Sequence, residues 1–213
     1  MTAVLVCGGT VSAAFLKEKI SEIEDAKVYA VDGGLTICDA AGIVPDYMIG
    51  DFDTAASDLV LCYSKKCKVF RHPPEKDATD TELAMELAIS EGMERIVLLG
   101  ATGTRLDHTL ANVHMLYYAM VRGVSAEILD EHNRITLHDR SFCVTEGKRF
   151  GTYISFLPFA GTVSKLTLSG VKYELNGYDL KPGTSICVSN EPVSERISVN
   201  FETGILLMFQ TRD

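Results

Sequence analysis

Apolar positions in the first 130 residues follow two alternating periods. Ala3-Val-Leu-Val-Cys7 is a short continuous apolar run that stops at Gly8-Gly9. Such a run, bounded by turn residues, predicts a buried strand. Four-residue spacing then takes over, with Phe15, Leu16, Lys19, Ile20 and Ile23 grouped on one side of a predicted helix over 15–23. Val28–Val31 and Tyr47–Ile49 are the next strands, ending in Asp32-Gly33-Gly34 and Gly50-Asp51-Phe52-Asp53. Cys67–Phe70 is followed by a helix over 81–91 with Ala84, Leu87 and Ala88 on one side. Ile96–Leu99 leads through Gly100-Ala-Thr-Gly103 into a helix over 107–122, and Ala126–Leu129 closes the series. The stripe of that last helix reads Leu106, Leu110, Val113, Leu116, Tyr117 and Met120. Strands alternating with helices predict a parallel α/β sheet.

At Asp130-Glu-His-Asn133 the period changes. Beyond it come short alternating segments at 134–138, 153–156, 163–168, 171–175, 185–188, 197–201 and 205–210, punctuated by Gly and Pro. No helical stripe interrupts them, so the expectation is a small antiparallel β-sandwich, jelly-roll-like. The expected division is an α/β domain over 1–132 and a β domain over 133–213. At roughly 80 residues the second would be marginal alone and is expected to pack on a neighbour or a second subunit.

Composition narrows the function. The 213 residues are 46% hydrophobic and 23% charged, enough to bury a core and unlike a disordered chain. Apolar runs such as Ile205–Phe209 fall far short of the ~18 residues of a membrane span. The first basic residue, Lys17, follows the apolar start, which argues against a secretory signal. A net charge of −9 argues against sequence-independent nucleic-acid binding. It is compatible with a phosphate substrate bridged by a divalent cation. None of the six cysteines (7, 38, 62, 67, 143, 187) forms a C-x-x-C pair. They read as buried small hydrophobes in a reducing cytosol, giving a cytoplasmic expectation.

Ligands of open α/β sheets sit at the carboxyl ends of the strands. Neither a G-x-x-x-x-G-K-[ST] loop nor a G-x-G-x-x-G after the first strand is present. Acids stand there instead. Asp51 and Asp53, two apart, would project to one side of an extended segment. Asp77 and Asp80 lie at the entrance of one helix and Asp107 opens the next. Carboxylates from several strand ends make a hard oxygen site suited to Mg²⁺. Asp at a helix start is also a common cap, and Asp51 with Asp53 is also compatible with a solvated turn. Gly100–His108 offers backbone amides at a helix start, with Arg105 adding a fork of donors for a phosphoryl oxygen. A plain turn with a surface arginine fits equally. His108 and Asn112 share a helix face, as a polar surface or a working pair. Lys76 is a solvated lysine or a phosphate contact.

Together these segments carry more than they do singly. Val31-Asp-Gly-Gly34, Gly50-Asp-Phe-Asp53, Lys76-Asp-Ala-Thr-Asp80 and Gly100–Asn112 occur in the order and approximate spacing of thiamine pyrophosphokinases. The chain resembles a bacterial member of that family, and the resemblance extends through Ser169-Gly-Val-Lys-Tyr173 and Val188-Ser-Asn-Glu191. The family's GDFDS ends here in Thr54. The resemblance implies transfer of the β,γ-diphosphoryl group of ATP to the hydroxyl of thiamine, giving thiamine diphosphate and AMP. It further implies Mg²⁺ on Asp51 and Asp53 with Asp77, Asp80 or Asp107, and phosphate neutralisation by Lys76 and Arg105. Asp32, Gly33, Gly34, Thr102 and Gly103 would line the nucleotide cleft. The implied assembly is a homodimer, with thiamine between the α/β domain of one subunit and the β domain of the other. Ser189 and Asn190 become thiamine contacts, with Tyr173 or another ring standing in for an absent tryptophan. A Mg²⁺-dependent kinase or hydrolase of another substrate, and a non-catalytic nucleotide- or thiamine-sensing module, are the rival readings.

Overall fold

The apolar runs before residue 130 all become parallel strands. A computed structural model describes residues 1–53, 55–72 and 77–213, divided into two units, Met1–Glu131 and His132–Asp213. In the first unit the elements are β1 (Thr2–Val6), α1 (Ala13–Ser21), β2 (Lys27–Val31), α2 (Gly34–Ala41), β3 (Tyr47–Gly50) and α3 (Ser57–Tyr63). They continue with β4 (Lys68–Arg71), α4 (Asp80–Ser90), β5 (Arg95–Leu99), α5 (Leu106–Met120) and β6 (Ser125–Leu129). The strands lie in the order β4-β3-β2-β1-β5-β6, each pair parallel. Ala3, Val4, Leu5 and Val6 of the central β1 are fully buried, as expected for a strand covered on both faces.

Two helices escape the apolar pattern. Both α2 and α3 are short, of eight and seven residues. On α2, Leu35, Cys38 and Ala41 are buried, and Gly42 in the left-handed region ends the helix. On α5 the sequence assigns the wrong face in part. Val113, Leu116 and Ala119 are buried together with Asn112, whereas Leu106, Leu110 and Tyr117 are exposed. A helical period finds a stripe, but it does not say which neighbouring row meets the sheet.

The second unit consists of β7 (Asn133–His138), β8 (Phe142–Thr145), β9 (Tyr153–Pro158), β10 (Val163–Ser169), β11 (Leu175–Leu180), β12 (Arg196–Asn200) and β13 (Leu206–Thr211). They form two antiparallel sheets, β7-β13-β9 and β11-β10-β12-β8. Alternate residues fill one core: Ile154, Phe156, Leu206 and Met208 from the first sheet, Val163, Leu166, Leu168, Ile197 and Val199 from the second. This is the sandwich the alternation predicts, with three differences. Residues 171–175 do not form a strand: Val171 makes one isolated bridge to Pro192, and pairing resumes only at Leu175. Residues 185–188 make a turn closed by a Val188 N–H to Ser185 carbonyl bond at 3.0 Å. The pattern also misses β8, a four-residue strand with only Val144 buried.

Candidate active site

The strand order of the α/β unit reverses at β1, between β2 and β5. That is the position at which such sheets open a ligand crevice beyond the strand ends. Here the loop after β1 is zipped to the loop after β5. Gly9 N–H donates to the Gly100 carbonyl at 2.8 Å, and Thr10 N–H to the Thr102 carbonyl at 2.7 Å. A Cβ on Gly9 would stand 2.2 Å from the Thr102 carbonyl oxygen, so only glycine fits this approach. Over this joined floor lies a cavity of about 520 Å³, lined among others by Gly8, Gly9, Asp32, Asp80, Thr102, Gly103, Arg105, His108 and Asn112.

Three acids meet beside the ends of β2 and β3. Asp32, Asp51 and Asp53 each offer an oxygen within 4.8 Å of the other two, and among the described residues theirs is the metal-competent group. An extended chain does not bring Asp51 and Asp53 together, as the spacing suggested. The strand ends at Gly50, Phe52 takes a left-handed φ of +60°, and the Asp53 amide donates to the Asp51 carboxylate at 3.1 Å. Asp32 is likewise left-handed, at φ +45°. Non-glycine residues rarely adopt this conformation. Two of them beside clustered carboxylates mark a spot where the fold sustains backbone strain. Three like charges so close disfavour the metal-free state, and hard oxygen donors in this number suit Mg²⁺.

Asp77, Asp80 and Asp107 are not members of that group. Neither helix start uses its aspartate as the cap. Thr79 caps α4, accepting from the Glu82 amide at 3.2 Å, and Asp80 follows it on the cavity wall. Asp107 is exposed and takes the Arg105 guanidinium in two bonds of 2.7 and 3.3 Å, together with the His108 amide at 3.0 Å. The guanidinium beside it pulls the Asp107 carboxyl down to about 2. Arg105 therefore faces the cavity with its fork already filled by a carboxylate. Asn112 is buried, and its Nδ2 donates to the Ala101 carbonyl at 2.7 Å, which holds the turn before α5. Gly33 and Gly34 do not line the cavity: a Cβ on Gly34 would lie 1.8 Å from the Val6 carbonyl, so this glycine lets α2 start against β1. Lys76 and Thr54 lie outside the described residues.

In the β unit, Asn190 is buried and its side chain makes three hydrogen bonds to the backbone. Its Oδ1 accepts from the Tyr173 and Glu191 amides, both at 3.0 Å, and its Nδ2 donates to the Tyr173 carbonyl at 2.8 Å. Tyr173 is 59% exposed on the turn so held. Ser189 adopts φ +56°, and its amide donates to Ser155 Oγ at 2.9 Å.

Residues 21–128 match the family model "Thiamin pyrophosphokinase, catalytic domain", and residues 141–206 match "Thiamin pyrophosphokinase, vitamin B1 binding domain". The thiamine pyrophosphokinase of Bacillus subtilis is 34% identical over 182 residues, 85% of each chain. This chain belongs to the thiamine pyrophosphokinase family. Its fold agrees with the crystal structure of the B. subtilis protein at a TM-score of 0.89 and 30% identity over the whole of both chains. The thiamin pyrophosphokinase of Geobacillus thermodenitrificans follows at 0.85 and 32%, covering 100% of this chain and 98% of the other.

The catalytic-domain match of the thiamine pyrophosphokinase family spans every acid considered above. Three site features fall outside the residues the sequence singles out for chemistry. Gly8 and Gly9 precede the catalytic match, although the apolar run stopping at a glycine pair was their signal. Thr81 lines the cavity beside Cys7, whose Sγ lies 3.7 Å from Thr81 Oγ1 and whose thiol burial pushes up to about 11. Asp130, buried directly after β6, accepts the Thr102 hydroxyl at 2.7 Å. Its only signal in the sequence was as the start of a polar break. Among the described residues no helix is long and apolar enough to cross a membrane.

Proposed function

We propose that this protein transfers the β,γ-diphosphoryl group of ATP to the primary hydroxyl of thiamine, releasing AMP. The hydroxyl oxygen forms a bond to the β-phosphorus, the bond from that phosphorus to the α,β-bridging oxygen breaks, and the hydroxyl proton passes to a carboxylate or water. Such transfer asks for positioning and for stabilisation of charge on phosphoryl oxygens. The observation that carries the reading is the meeting of Asp51 and Asp53 with Asp32, which itself lines the strand-end cavity, in a chain of this family. These carboxylates would hold Mg²⁺, with Asp77 and Asp80 at the start of α4 and Asp107 at the start of α5 as further acids. A bound Mg²⁺ would offset triphosphate repulsion and polarise the reacting phosphorus.

The remaining roles belong to side chains and to backbone amides. Arg105 exchanges Asp107 for a phosphate oxygen, Lys76 adds positive charge, and amides at the start of α5 face the anion. Asp32, Thr102, Gly103, His108 and Asn112 form or support the nucleotide cleft. In the β unit, Tyr173 offers its exposed ring to a thiamine ring, beside Ser189 and Asn190. The functional assembly is a homodimer that shares its thiamine sites. Exposed Leu106, Leu110 and Tyr117 on α5, and exposed Ile186, Val188 and Val193 in the β unit, support it. Six free cysteines support a cytoplasmic setting.

The test is product analysis after incubation with ATP, thiamine and Mg²⁺. AMP and thiamine diphosphate in equal amounts, abolished by a chelator, are expected. ADP or inorganic phosphate as the product would instead identify a kinase or hydrolase, and tight binding without turnover a sensing module.

A further inference from the structure

The turn after β5 is held from three sides. Thr10 N–H donates to the Thr102 carbonyl at 2.7 Å, and the buried Asn112 carboxamide donates to the Ala101 carbonyl at 2.7 Å. On the far side, the Thr102 hydroxyl lies 2.7 Å from Asp130 Oδ2. Asp130 is 6% exposed, and residue 130 falls in the gap between the two family matches. In that bond the hydroxyl donates and the carboxylate oxygen accepts, so the hydroxyl proton of Thr102 is committed to it. Thr102 is also among the residues that line the cavity, and toward a ligand its Oγ1, with the proton given to Asp130, has only lone pairs to offer. It meets a ligand as an acceptor.

Phosphate oxygens are acceptors too, and two acceptors in contact repel. We propose that Thr102 reads a hydrogen-bond donor on the nucleoside half of the substrate, with Asp130 as the positioning residue that sets this polarity. The donor is a ribose hydroxyl or the exocyclic amine of the base. The phosphates then lie away from Thr102 Oγ1, toward donors such as Arg105 and toward the acids of β2 and β3. This inference rests on the nucleotide reading of the cavity.

Calorimetric titration of the full chain with Mg²⁺ and without thiamine tests it. The ligands are ATP, 2′-deoxy-ATP, 3′-deoxy-ATP, purine riboside triphosphate and inorganic tripolyphosphate. With Thr102→Val, ATP binding weakens about tenfold, the worth of one hydrogen bond, and Thr102→Ser restores it. The analogue that lacks the donor binds the wild type about tenfold more weakly than ATP and is indifferent to Thr102→Val. Which analogue behaves so separates ribose from base. Tripolyphosphate binds both proteins alike. Asp130→Ala, which removes the acceptor and releases the hydroxyl, reduces discrimination against the same analogue.

Equal weakening of ATP and tripolyphosphate by Thr102→Val would make Thr102 a phosphate contact and overturn the inference. So would an unchanged ATP affinity in that variant, or a wild type that binds every analogue as well as ATP. The analogue profile of the wild type needs no variant to fold. If the wild type binds tripolyphosphate but no nucleotide better, the nucleotide reading itself fails and this inference falls with it.

Discussion

The Asp53 amide donates to the Asp51 carboxylate at 3.1 Å, closing a tight turn that carries both acids to Asp32 at the end of the neighbouring strand. Three carboxylates this close repel one another unless a cation lies among them. Neutralising one should therefore leave the metal-free fold intact or slightly more stable, while removing a ligand of the cation. Asp53→Asn is expected to lower turnover by about 100-fold or more. Mg²⁺ should raise the melting temperature of the wild type clearly and that of the variant much less. Near-normal turnover in Asp53→Asn would remove this side chain from the metal site.

Asn112 gives the opposite profile. Its buried carboxamide supports the Ala101 carbonyl, so Asn112→Ala leaves a buried acceptor unpaired. The expected cost is about 1–3 kcal/mol of stability, measured by urea denaturation. KM for ATP should rise as the turn loosens. Unchanged stability would instead identify Asn112 as a ligand contact.

How far the sequence reveals this arrangement depends on which force shapes each part. Strand ends were legible because an apolar run halting at Asp32-Gly33-Gly34 or Gly50-Asp51 is local information. The turn that unites the acids was not, because it depends on Phe52 accepting a left-handed φ, which a buried aromatic does only under tertiary constraint. The length of α2 allows only about two turns, too few for a period to stand out. On α5, Ala119 and Asn112 are buried while Leu106 and Leu110 are exposed, since packing selected a row that hydrophobicity alone ranks second. Asp130 reads only as punctuation in the sequence, because Thr102, whose hydroxyl it accepts, lies 28 residues away.

The β unit carries its own pH sensor of stability. His138 stacks on Phe142 with ring centroids 3.7 Å apart, and its Nε2 lies 3.0 Å from Thr136 Oγ1. Burial pushes the imidazole down from its ordinary 6.5 to about 4, so the folded state holds it neutral. Between those values the unfolded chain binds the proton and the folded one does not. Stability should therefore fall as pH drops from about 6.5 to about 4, by at most roughly 1.4 kcal/mol per pH unit from this group. Denaturation of the wild type and His138→Gln across that window checks the sign. An unchanged slope in the variant would contradict it.

The central claim, that a diphosphoryl group moves as a unit to thiamine, is tested most directly by following isotope from ATP labelled separately at each phosphorus. The account predicts that β and γ labels both arrive in thiamine diphosphate in equal amount, while the α label stays entirely in AMP. Arrival of the γ label alone, with the β label retained in ADP, would contradict it.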